Sequence, residues 1–240
     1  VLSGPSLASE PLHLLREAGH LSMCVNNSWL MWRPNFWVGV DPPSRFSDAG
    51  WRDPHILKMC PQSSRNAPLR VEREGELVKD GTRVSGCPNV GLFVREDDFN
   101  PSTFWASNRV QWGTLKGQTD MVGIKASRSV MLAALKLSFW LGFRRVYLLG
   151  ADFKMSEDPS ASPYAWDETK DANGRKANNK LYQMLDKRFR ALARLGMPIE
   201  VYNCTAGSGL TAFPHIPLIA ALEREGSKVR TGGVTKGWYV

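Results

Sequence analysis

A chain of 240 residues, 42% hydrophobic and 22% charged, is long enough to bury one sizeable core, which excludes a disordered protein and suits a single domain over residues 1–240. Its longest apolar run, residues 130–141, is interrupted by Lys136 and Ser138 and falls short of the ~20 residues a membrane span needs. Thirty-one Lys and Arg against 23 Asp and Glu leave a net charge of +8, which favours an anionic partner: a nucleotide, a nucleic acid or a phosphorylated glycan.

Val1 and Leu2 read as the end of a strand, followed by a tight turn at Ser3, Gly4, Pro5 and Ser6 and an amphipathic helix over residues 8–18. Residues 20–25 and 36–40 read as strands, each running into polar residues, Asn26 and Asn27 after the first and Asp41 after the second. Apolar strands that end in polar loops are typical of a buried parallel sheet. Short β-like runs follow at residues 56–59, 69–74 and 90–94. Ser127 then caps a helix over 130–141, apolar on most faces and stopped by Gly142. A strand over 146–149 ends at Gly150, Ala151 and Asp152.

Residues 154–177 are rich in Asp, Ser, Pro, Lys and Asn without apolar periodicity, and read as a lid loop that is weakly ordered without ligand. Helix returns over 178–195 with Leu181, Leu185, Phe189 and Leu192 on one face. A strand over 198–203 leads into a polar loop at 205–208, and a last helix covers 216–225. The order of elements predicts an α/β, Rossmann-like fold with a mostly parallel sheet, helices on both faces and the lid inserted.

Cys24, Cys60, Cys87 and Cys204 are widely spaced, with no C-x-x-C pair, so neither a zinc site nor a disulfide framework is expected and a reducing, cytoplasmic setting is. The opening VLSGPSL has no charged region followed by an apolar core and does not read as a secretory signal. Dinucleotide, Walker A, zincin and nucleophile-elbow motifs are all missing. The nine tryptophans, among them Trp29, Trp32, Trp37, Trp51 and Trp105 in the first half, suit either a core or stacking on sugars and bases.

Ligands of open α/β sheets bind at the carboxyl ends of the strands. The residues expected there are Ser3 and Gly4, Asn26, Asp41, Asp152 and the loop reaching Ser208, with His215 close by. Gly4 lets backbone approach a phosphate, Asn26 offers a donor and an acceptor to a base or ribose, and Asp41 presents a carboxylate on a proline-stiffened turn. No tight carboxylate pair proposes a metal site.

The succession VLSGPSL, VNNSW, an apolar helix leading to LGFRRVYLLGADF, then PYAWD and IEVYNC resembles the bacterial sialyltransferases of glycosyltransferase family 42. It also resembles a related domain of flagellin-glycosylation motility factors and phages. The resemblance implies one Rossmann-like domain that binds a nucleotide-sugar as co-substrate and works without a metal or other cofactor. It assigns Ser3 and Gly4 to the nucleotide phosphates, Asn26 and Asp41 to the nucleotide or donor, Ser129 to the donor sugar, and Tyr164 on the lid to the leaving phosphate. Three departures stand out: Ser3 replaces the family's Asn, Lys154 replaces the first lid tyrosine, and residues 168–195 hold no histidine, Asn178 and Asn179 being the nearest polar side chains.

A glycosyltransferase is therefore expected, with Asp41, Lys154 and Tyr164 catalytic and Ser3, Gly4, Asn26, Ser129, Asp152, Asn178, Asn179 and Ser208 binding the nucleotide-sugar. Two other readings stay open: a pterin-type pyrophosphoryl transferase and a non-catalytic nucleic-acid-binding module. The cluster Arg175, Lys176, Lys180, Lys187, Arg188, Arg190 and Arg194 is expected to be largely exposed near the crevice. It favours a polyanionic acceptor such as hydroxymethylated phage DNA, with the tryptophans of the first half as stacking surfaces.

Overall fold

A computed structural model describes residues 1–73, 76–114, 117–125, 128–166 and 170–226. Residues 1–4 run extended into a 3-10 turn, Pro5–Ser9, and α1 (His13–Glu17). Then come β1 (Met23–Val25), a 3-10 turn Asn26–Leu30, β2 (Phe36–Val38), α2 (Asp48–Arg52) and β3 (Leu57–Pro61). The strands β4 (Pro68–Arg73), β5 (Glu76–Arg83), β6 (Val90–Phe93), β7 (Arg95–Glu96) and β8 (Val110–Gln111) precede α3 (Val130–Trp140). The chain finishes through β9 (Arg145–Leu148), α4 (Ala172–Arg194), β10 (Glu200–Asn203) and α5 (Leu218–Glu225).

The fold is α/β. Four strands form an all-parallel sheet in the order β1-β2-β3-β6, and β9 pairs in parallel with β10. The opening residues join the two. Val1 N donates to Met23 O at 2.7 Å and Val1 O accepts from Val25 N, while Leu2 N and Gly4 N donate to Leu149 O and Gly150 O at 2.8 and 2.9 Å. The spatial order is thus β10, β9, residues 1–4, β1, β2, β3, β6, and the chain reverses its direction of travel across the sheet between residues 1–4 and β9. The hairpin β4-β5 and the two-residue pair β7-β8 lie outside this row.

Alternation along the strands sends side chains to opposite layers. Phe36, Val38 and Met59 pack on Ala133 and Leu137 of α3, whereas Trp37, Cys24 and Cys60 pack on Trp51, Phe46 and Ile56 around α2. On β9, Leu148 packs with Leu185 and Phe189 of α4, and Tyr147 with Leu218 of α5. Helices therefore cover both faces. Trp37 and Trp51 are each 1% exposed, with Trp29 tilted against Trp37, so these rings are core and supply no stacking surface. Trp32 and Trp105 are half-buried, one under the Arg16 guanidinium and the other edge-on to Phe104 and Phe139.

Among the element boundaries that differ from the sequence reading, three concern helix starts and caps. The single helix expected over 8–18 is split in two because Pro11 holds Glu10 extended (φ −76°, ψ 136°). The helix cap expected at Ser127 lies outside the described residues; the observed cap of α3 is Ser129, which accepts from Met131 N at 3.1 Å. The long helix α4 starts at Ala172, six residues before the expected point, because Asp171 caps it by accepting from Gly174 N at 2.7 Å.

Two lysines are buried in the core. Lys58 Nζ donates to Asp53 O, and Lys136 Nζ donates to Phe104 O and Trp105 O at 2.7 and 2.6 Å among the rings of Phe104, Phe139 and Trp140. Burial pushes both ammonium groups down to about 8. The unfolded chain keeps these protons to a pH near the ordinary lysine value, whereas the folded chain releases them above about 8, so each group makes stability rise with pH across that interval. Lys136→Met leaves two carbonyls without a donor and is expected to cost about 1–3 kcal/mol at pH 7. From pH 8 to 10 its urea midpoint is expected to fall progressively further behind the parent's. A gap between the two that stays constant with pH refutes the assignment.

Candidate functional site

The reversal point places the carboxyl ends of residues 1–4 and β9 side by side, and the chain there is tightly constrained. A Cβ on Gly4 would sit 1.9 Å from Asp152 Oδ2 and 2.7 Å from Gly150 O, so only glycine fits. The Asp152 carboxylate accepts from Ser6 Oγ at 2.7 Å and from Ser6 N at 3.4 Å. Gly4 N is engaged by Gly150 O, so the backbone of this first turn braces Asp152 and the β9 loop. Gly150 and Phe153 adopt left-handed φ of 67° and 50°, which bends the loop back across residues 205–210. There Thr205 Oγ1 accepts from Ala151 N at 2.8 Å, Ser208 Oγ donates to Ala151 O, and Gly209 N donates to Asp152 O at 2.7 Å. Ser208 thus fixes the loop that carries Asp152.

Glu10 joins this cluster without any signal in the sequence: burial, and then the nearby Asp152 carboxylate, raise its carboxyl above the ordinary value. His215 pairs with Asn203 at the end of β10 and stays exposed.

Asn26 and Asp41 meet at the ends of β1 and β2. Asn26 takes a left-handed φ of 46°, its carbonyl accepts from Trp37 Nε1 at 2.7 Å, and its Nδ2 lies 3.5 Å from Asp41 Oδ2. Arg45 donates to the same oxygen at 3.3 Å. Ser129 sits at the start of α3, which runs back toward the amino end of β9 and so begins on the carboxyl-end side of the sheet.

The lid lies down over the first turn. Ala165 N donates to Ser3 O at 3.1 Å, and the Tyr164 and Trp166 rings stack at 5.1 Å with 5° between planes. Lys170 Nζ donates to Tyr164 Oη at 3.0 Å. Tyr182 of α4 stands behind Phe153 with ring centroids 5.2 Å apart; burial first, then Tyr164 and Asp152, push its hydroxyl up to about 12. Lys154 is exposed, with Nζ 3.6 Å from where a Cβ on Gly207 would be, and it makes no ion pair or hydrogen bond with a described residue.

What holds the lid comes from the first turns of α4. Arg175, 2% exposed, donates to Lys170 O, Ser156 O, Pro159 O and Ala161 O at 2.9, 3.2, 3.3 and 2.8 Å. Asn179 accepts from Met155 N at 2.6 Å and donates to Met155 O at 3.0 Å, and Asn178 Nδ2 reaches Met155 Sδ at 3.4 Å. These two asparagines therefore grip lid backbone. The expectation of an exposed basic cluster needs correction at two positions, Arg175, buried under the lid, and Arg188, buried against Asp120, while Arg190 is exposed with its guanidinium tied to Asp186 and Thr211.

Among the described residues, no three His, Cys, Asp or Glu side chains are grouped so as to hold a metal ion, and no helix is long and apolar enough to cross a membrane. A cavity of about 950 Å³ lies between β1 and β9, around Ser22, Met23, Arg145 and Tyr147, and its lining reaches up to Val1, Leu2 and Leu149 at the reversal point. Compared with protein-family models, with curated proteins and with solved structures, the chain matches none.

Proposed function

We propose that the crevice at the reversal point transfers a sugar from a nucleotide-sugar to an acceptor hydroxyl. The observation that carries this reading is the hydrogen bond from Ala165 N to Ser3 O, which holds a polar lid bearing Tyr164 across the position where open α/β sheets take nucleotides. In the proposed reaction, Asp41 takes the proton of the acceptor hydroxyl as its oxygen attacks the anomeric carbon. The bond from that carbon to the phosphate oxygen breaks, and the nucleotide leaves with the electron pair. Because the Tyr164 oxygen already accepts from Lys170, its O–H is directed outward to donate a hydrogen bond to the leaving phosphate, and the exposed Lys154 ammonium adds positive charge. Asn26 sits beside Asp41 to orient it or the donor.

The test is incubation with CMP-, UDP- and GDP-sugars, following nucleotide release. Turnover of one donor class is expected, undiminished by a chelator, and Tyr164→Phe is expected to lower it by about 10²–10³-fold while nucleotide binding is retained. Binding and release of none of these donors overturns the reading. Turnover that appears only with ATP and Mg²⁺ replaces it with pyrophosphoryl transfer.

A further inference from the structure

Removing the buried Arg175 and Arg188 from the basic cluster leaves a pattern that the sequence count concealed. Along α4, Lys176, Lys180, Gln183, Lys187, Arg190 and Arg194 recur at steps of three, four and seven residues, which places them in one lengthwise row, and all six are exposed. Lys176, Lys180, Lys187 and Arg194 form no ion pair with a described residue. The sole acidic side chain within the helix, Asp186, is buried and faces Arg190, Thr211 and Ala212. From Lys176 to Arg194 the row covers nineteen residues, about 27 Å at the α-helical rise. It starts beside Arg175, at the lid, and runs away from the crevice.

We propose that this row docks the phosphate backbone of a double-stranded nucleic acid. Four unpaired cations on one straight, rigid rod match a regular ladder of phosphates, and neutralising them needs no base contact. Two other polyanionic surfaces fit less well. A helix that lies in a membrane interface needs large apolar side chains flanking its cations, and the α4 face exposes none before Leu195. Single strands are held by aromatic stacking, and the row carries no aromatic residue. Because the row starts at the lid, duplex nucleic acid is also the acceptor class that it would bring to the crevice. That second statement rests on the glycosyl-transfer reading.

The test measures binding of a fluorescent 20-base-pair DNA duplex by anisotropy between 50 and 200 mM KCl, for the intact chain and for a Lys180→Gln/Lys187→Gln variant. With four phosphates neutralised, affinity is expected to fall about 150-fold over that range, and about 12-fold in the variant, where two contacts remain. Donor hydrolysis is expected to be the same in both proteins, since neither lysine touches the crevice. No duplex binding, or a variant with the parent's affinity and salt dependence, overturns the proposal. Tighter binding to 7:3 phosphatidylcholine/phosphatidylserine vesicles than to DNA overturns it in favour of a membrane surface. Stripe-dependent duplex binding by a protein that turns over no nucleotide-sugar upholds the surface and refutes only the transfer reading.

Discussion

Asp120→Ala is expected to lower the free energy of unfolding by about 3–5 kcal/mol, because it leaves the Arg188 charge buried without its counter-ion. Both side chains of this ion pair are fully buried. The guanidinium also donates to Thr114 Oγ1 at 2.9 Å and lies over the Phe99 ring at 5.2 Å, while its remaining nitrogen Nη1 has no hydrogen-bond partner among the described residues. Burial already lowers the affinity of Arg188 for its proton, and the adjacent Asp120 opposes that effect. Removing the carboxylate takes away the opposing term and leaves the desolvation. The reverse change, Arg188→Met, is expected to be milder, because Asp120 still accepts from Val122 N and Ile124 N at 3.0 Å and stays hydrogen-bonded. Urea unfolding of the two single variants and the double variant measures the coupling between them. Equal costs for the two single variants would show that the pair does not carry the asymmetry argued here.

The same pair shows why part of the fold was legible in the sequence and part was not. Strands β1, β2, β9 and β10 and helix α3 were readable because each is an apolar run closed by polar residues, and burial in a two-faced parallel sheet produces that pattern. The strands β7 and β8 are two residues each and too short for any periodicity. The first two turns of α4 gave no helical signal because they face no apolar core: Arg175 and Asn179 turn inward to meet lid carbonyls and amides instead. Cations are rarely buried, so Arg175 and Arg188 read as surface, and nothing in the sequence marks Lys58 and Lys136 as interior. Their partners are carbonyls or a carboxylate that only the folded chain brings near, 68 residues away in sequence for Arg188 and Asp120.

The candidate site divides in a similar way. Gly4, Asp152, Asn26 and Asp41 were legible because strand ends in such a sheet must converge, and the structure brings them together in two groups, Gly4 with Asp152 and Asn26 with Asp41. Glu10, Lys170 and Tyr182 were not, since their placement follows from how the turn after residues 1–4 and the lid fold back, and no local spacing encodes that. Ser208, Asn178 and Asn179 carry the polarity expected of ligand groups, yet their visible hydrogen bonds go to the loops beside the crevice.

Arg175→Ala is expected to abolish most donor turnover, by about 10²-fold or more, while leaving the sheet folded. One guanidinium ties together four carbonyls from residues 156, 159, 161 and 170, and no other described side chain of α4 reaches all of them. Truncating it frees those carbonyls. Unlike the carbonyls above Lys136, they sit on a surface loop and reach water once the loop lifts, so the loss appears as local opening and only a modest drop in global stability. Lifting the loop breaks the hydrogen bond from Ala165 N to Ser3 O and carries the neighbouring Tyr164 away from the first turn, and a displacement of about 1 Å from a productive geometry already costs on the order of 10²-fold in rate. Arg175→Lys is expected to rescue little, because a single ammonium cannot reach carbonyls spread around a planar five-donor fork. Limited proteolysis with mass mapping is expected to show new cleavage within residues 156–161, with far-UV circular dichroism close to the parent's. Turnover at the parental rate with a protease-sensitive loop would show that lid closure is not required, whereas loss of the whole fold would make Arg175 a core residue and not a lid clamp.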